Sequence, residues 1–163
     1  MTTTPPQDQY VRLPRRLLES PVIRALNANE WRALTRILLE HQRHSGFVND
    51  GLPVTTNNFV CGGIGRKYVT SALRVLEALG IIECTRRMQG TNSGRLPNLY
   101  RPTFLPTSPK GNCATFDFEK FKTVDEAKQA AQAMRNGDKR VDRSKKRIEM
   151  LHRFPNRNPT EGA

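Results

Sequence analysis

Between residues 27 and 44, apolar positions recur every three or four residues. This spacing predicts a helix with Trp31, Leu34, Ile37, Leu38 and His41 on its inner side. Asn27, with Glu30 three residues on, forms a capping box at the start, and Ser45-Gly46 ends the helix. The same period returns over 66–79, where Val69, Leu73, Leu76 and Leu79 make an apolar stripe. At about 100° per residue, the opposite face collects Lys67, Thr70, Ser71 and Arg74. Between the two helices, Leu52-Pro53-Val54 is a short extended piece and Thr55 caps a brief helix through Phe59-Val60. Cys61-Gly62-Gly63-Ile64-Gly65 then reverses the chain.

Gly80 stops the 66–79 helix as its left-handed C-terminal residue. Ile81–Arg87 follows as a β-branched strand, and Asn98–Arg101 is its antiparallel partner. The polar stretch between them, with Gly90 and Gly94, is expected to be an exposed hairpin tip. Upstream, Pro14 and Ser20-Pro21 each open a short helix. Downstream, Thr115–Phe118 alternates like a strand, and Thr123–Glu126 is a second capping box. The helix it starts carries Ala127, Ala130, Ala131 and Met134 and ends at Gly137. Alanines bury little area, so this helix must dock on something larger or stay marginal. It is also the segment the sequence offers for pairing in a homodimer. The domain plan is a disordered tail over 1–9, a folded domain over 10–105, and a basic, partly helical extension over 106–163.

Charge narrows the choice of partner. Lys and Arg number 27 against 15 Asp and Glu, a formal +12 in 163 residues. Residues 81–110 are the densest part, with five cations and one acid. A polyanion is the natural partner. Nucleic acid fits better than membrane, because no helix combines a basic face with large apolar residues. No apolar run approaches the about 20 residues needed to cross a bilayer. The start, MTTTPPQDQY, has neither the positive charge nor the apolar stretch of a secretory signal, so a cytoplasmic, nucleoid-associated protein is expected. Cys61, Cys84 and Cys113 are odd in number and widely spaced, which fits reduced thiols.

In order of elements, the chain over about 27–104 resembles the winged helix-turn-helix superfamily, nearest to the domains of bacterial, plasmid and phage regulators and replication initiators. The resemblance rests on the helix around Trp31, Leu34 and Leu38, on LPVTTNNFV, and on Val69…Leu73…Leu76…Leu79-Gly80-Ile81-Ile82. It implies an α+β fold, mainly α, with a two- or three-stranded β wing and the basic helical C-terminal extension. It further implies sequence-specific binding of double-stranded DNA, with helix 66–79 in the major groove and the wing, 86–97, on the minor groove or backbone. Lys67, Thr70, Ser71 and Arg74 become base readers by that resemblance, Arg74 being suited to a bidentate guanine contact. Arg66, at the helix start, would grip phosphate with the backbone amides there. Arg86, Arg87, Gln89, Asn92, Ser93 and Arg95 make up the wing set. Gly65 stands where such domains often begin the recognition helix with Ser or Thr.

Transcriptional regulation is the leading expectation. Binding of origin repeats in replication initiation or mobile-element maintenance is the second, and a winged protein-interaction scaffold the third. His41 and His44 are explained by the helix dipole rather than by a metal. Trp31 falls on the apolar stripe and is expected in the core rather than stacked on bases. GGIGRK lacks the spacing of a nucleotide-binding loop. With no nucleophile–base pair and no carboxylate cluster, neither catalysis nor a cofactor is expected.

Overall fold

The computed structural model describes residues 11, 13–44, 49, 51–87, 97–107 and 113–137, and the backbone of 90–91 and 94–95. Helices α1 (Arg15–Leu18), α2 (Pro21–Ala25) and α3 (Ala28–Arg43) come first, then strand β1 (Leu52–Pro53). Helices α4 (Thr56–Cys61) and α5 (Arg66–Ala78) follow, then strands β2 (Ile82–Arg86), β3 (Gly90–Thr91), β4 (Gly94–Arg95) and β5 (Leu99–Pro102). A 3-10 turn over Asp117–Lys120 leads into a last helix, α6, at 124–137. The fold is α+β and mainly helical.

Local sequence explains the two long central helices. Asn27 Oδ1 accepts the backbone N–H groups of Asn29 and Glu30, while Glu30 Oε2 accepts that of Asn27, so α3 starts with donors satisfied in both directions. Its buried face contains Ala33, Leu34, Ile37, Leu38 and His41, and Trp31 packs half-buried at the margin. Helix α5 buries Val69, Ala72, Val75 and Leu76, with Leu79 fully buried just beyond its end. Leu73, expected in that stripe, is only half-buried. It packs against the core at the stripe's edge, where α5 also borders an open cavity.

Gly80 ends this helix with φ +70°, and a Cβ there would stand 2.7 Å from the Asp117 carbonyl carbon. Both the backbone angle and the close passage of residues 117–118 therefore demand glycine. Thr103 fastens the same junction, its hydroxyl donating to Gly80 O at 2.7 Å and its N–H to Ile81 O at 3.1 Å.

The sheet has the antiparallel order β1-β5-β2, with Leu52 opposite Tyr100, Glu83 opposite Arg101 and Cys84 opposite Tyr100. The register shifts between Cys84 and Arg86. Beyond it, β3 and β4 pair as a separate two-stranded tip, Gly90 opposite Arg95. The β2–β5 hairpin thus projects past the sheet.

One expected strand is absent. At 115–118 the N–H groups of Thr115 and Phe116 both donate to the single acceptor Thr103 O, which ends the ladder. Phe116 then takes a left-handed conformation, φ 52°, and the chain turns into the 3-10 segment, burying Phe118. Helix α6 docks on the body of the protein. Ala127 and Ala131 are fully buried in the same core as Leu34 and Val75. Arg135 reaches back to Glu30, donating from Nε at 2.8 Å and Nη2 at 2.7 Å, and also to Ala25 O at 2.9 Å. Of the face offered for pairing, Ala127 and Ala131 are buried within the chain, Ala130 is half-buried and Met134 is exposed.

Candidate nucleic-acid interface

Helix α5 has one greasy side and one wet side, and the wet side carries the sequence-predicted quartet. Lys67, Thr70 and Arg74 are exposed, and Ser71 is half-buried at the flank. The quartet divides. Thr70 and Arg74 line the cavity shared with the β2–β5 hairpin, whereas Lys67 and Ser71 lie outside it. The Lys67 ammonium sits 4.9 Å from the ring centroid of Tyr68, an exposed aromatic that the sequence reading passed over.

Arg66 occupies the first position of α5 and is exposed, but its guanidinium donates to Asn57 Oδ1 at 2.8 Å. The contact ties the start of α5 to α4. Arg32, on α3, donates to Gly63 O at 3.2 Å and holds the reversal between the two helices. The start of α5 has no acid in its first turn and no side-chain cap from Gly65, so backbone dipole and side-chain charge have the same sign there. Gly63, φ +85°, supplies the left-handed residue of the reversal.

On the hairpin, Arg86 closes β2 and is exposed. Arg87 follows it, and its Nη2 donates to both oxygens of Glu77, at 2.9 and 2.8 Å. Arg87 is thus an internal clamp between hairpin and α5. The Glu77 carboxylate holds its guanidinium pKa above the ordinary value. Arg95 lies in β4, opposite Gly90. Gln89, Asn92 and Ser93 fall outside the described residues.

Sequence reasoning missed three contributors on the cavity wall: Asn57, Glu77 and Asn98. Glu77 could have been found, since it stands three residues after Arg74 and shares its face at helical spacing. Asn57 and Asn98 carried no such signal, because only the tertiary arrangement brings α4 and β5 to this wall. Below them, Asn98 donates to the Tyr100 hydroxyl at 3.0 Å. Burial raises the Tyr100 pKa, and it likewise raises that of the neighbouring Cys84 thiol. Cys61, Cys84 and Cys113 are all free thiols.

Comparison with protein families, characterised proteins and solved structures gives no significant match to this chain. The chemistry of the surface therefore carries the functional argument alone. Exposed cations and a hydroxyl on one rigid helix, beside a projecting hairpin, suit a polyanion with hydrogen-bonding edges.

Proposed function

We propose that this protein is a winged helix-turn-helix protein that binds double-stranded DNA sequence-specifically, as a transcriptional regulator. Helix α5 enters the major groove, and hairpin residues 86–97 lie along the minor groove or backbone. The observation that carries this reading is the joint exposure of Lys67, Thr70 and Arg74 on a helix whose other side is buried. A helix fixed in that way presents donors in a constant geometry, which base readout requires. The net charge of +12 supplies the sequence-independent attraction to phosphate.

The division of the quartet refines the assignments. Arg74 and Thr70, toward the hairpin, are the central readers, and Lys67 with Arg66 approaches the flanking phosphates. The test is selection of bound duplexes from a random pool, followed by titration of the selected site. Arg74→Ala weakens that site by about 1–3 kcal/mol and relaxes preference at one base pair. Lys67→Ala weakens all duplexes similarly and reduces the salt slope by about 0.9. If both variants bind every duplex as the parent does, α5 is not the reading helix. A flat salt dependence points instead to a protein-interaction scaffold.

A further inference from the structure

Tyr68 is the one aromatic among the exposed large apolar side chains of the described residues, 47% exposed on a helix whose other apolar residues are buried or half-buried. Its ring is held from two sides. The Tyr68 N–H donates to Gly65 O at 2.8 Å, and a Cβ on Gly65 would stand 3.2 Å from ring carbon Cδ2. The Lys67 ammonium lies 4.9 Å from the ring centroid. Glycine at this helix start supplies no side-chain cap, as Ser, Thr, Asp or Asn would, but it leaves the ring its room. The surroundings are cationic. Arg66 and Lys67 are both exposed, and no Asp or Glu occurs from 55 to 76.

At about 100° per residue, Tyr68 stands about 60° beyond Ser71 and about 120° from Arg74. Thr70 and Arg74 line the cavity beside the hairpin and Tyr68 does not, so the ring lies on the flank of α5 turned away from the hairpin. A helix with its side chains is about 10–12 Å across, and the major groove is about 12 Å wide. A helix seated there therefore meets a sugar–phosphate strand on each flank. The hairpin serves one of the two strands. We propose that Tyr68 contacts the other, its hydroxyl donating to a phosphate oxygen and its ring lying on the adjoining deoxyribose. Tyrosine suits that place, since its apolar body covers the sugar while its polar tip reaches the phosphate. Lys67 brings charge to the same strand, so the cation and the ring it covers act as one grip. The contact fixes register and reads no base. It rests on the reading of α5 as the helix in the major groove.

The test uses the full chain, the duplex recovered by selection, and Tyr68→Phe, which removes only the hydroxyl. The variant is expected to bind that duplex about tenfold more weakly with its base preferences unchanged. Its salt slope stays that of the parent, because a neutral hydroxyl releases no counterion, whereas Lys67→Ala lowers the slope. The phosphates of the selected duplex are then replaced one at a time by neutral methylphosphonates. At one position, on the strand away from the hairpin, the replacement is expected to cost the parent about tenfold more than it costs Tyr68→Phe; elsewhere the two lose alike. The urea midpoint of the variant stays at the parent value. Parent-like affinity in Tyr68→Phe, altered base preference, equal losses at every phosphate, or a loss of affinity that accompanies a lowered midpoint would each overturn the contact while leaving DNA binding by the parent intact. If the parent binds no duplex, the DNA reading and the contact fail together.

Discussion

The Arg87 guanidinium bridges both oxygens of Glu77, one on the hairpin and the other on α5. The pair joins the candidate reading helix to the strand that leads to the hairpin tip. Arg87 is 69% exposed and Glu77 32%, so the link contributes little to stability, about 1 kcal/mol at most. Its value is positional. Glu77→Gln is expected to leave the urea midpoint nearly unchanged while freeing Arg87 for phosphate. Affinity for non-specific duplex then rises, and its salt slope steepens by about 0.9. An unchanged slope would show that Arg87 does not reach the DNA backbone.

Glu30 is the opposite case, a carboxylate only 1% exposed and answered by an arginine 105 residues away. Removing one partner leaves the other buried without its counter-charge. Arg135→Met is expected to lower unfolding free energy by about 3 kcal/mol, measured by urea titration. Adding Glu30→Gln to it should recover part of the loss, because the amide no longer needs a cation. Simple additivity of the two substitutions would mean that they do not form one buried unit.

Much of this architecture was legible from residue spacing, and the failures share a cause. Helix α3 carries its own capping box and apolar stripe, and α5 its own stripe, so local rules suffice to place them. Gly80 signals the end of α5 for the same local reason. Leu73 does pack against the core but is only half-buried, because periodicity marks a stripe's centre better than its edges and α5 has a cavity at one edge. Thr115–Phe118 alternates as a strand does, but the competing pull is the Thr103 carbonyl, which takes both available donors. The links Glu30–Arg135 and Arg87–Glu77 join segments that no local pattern relates. In the candidate site, helical spacing found the exposed face of α5. It did not show which half of that face turns toward the hairpin.

Gly80 supports a sharper stability test. With φ +70° and the Asp117 carbonyl carbon 2.7 Å from a prospective Cβ, alanine meets backbone strain and a backbone clash together. The left-handed conformation alone costs about 1–2 kcal/mol, and the clash adds to it. Gly80→Ala is therefore expected to destabilise by more than about 2 kcal/mol. Gly137, where a Cβ would meet nothing within 4 Å, is the control. Gly137→Ala should be neutral or stabilising by up to about 1 kcal/mol. Equal effects of the two substitutions would show that residues 117–118 do not press on Gly80.

Acid sensitivity follows from His41, which is 5% exposed with its Nδ1 unpartnered. Burial, and secondarily the nearby His44, lower its pKa from the ordinary 6.5. Above pH 6.5 the imidazole is neutral in folded and unfolded chains alike and contributes no pH dependence. As pH falls below 6.5, the unfolded chain takes up a proton that the folded one resists. Stability therefore declines with acidification and levels off once the pH passes the folded value. Glu40 faces His44 at 3.7 Å and is itself paired with Arg36 and Arg43, so other charged groups surround this end of the helix. Substitution separates them. His41→Leu should flatten the decline between about pH 8 and pH 5 in urea titrations, and His44→Gln should reduce it only in part. A decline of unchanged steepness in His41→Leu would place the acid-sensitive group elsewhere.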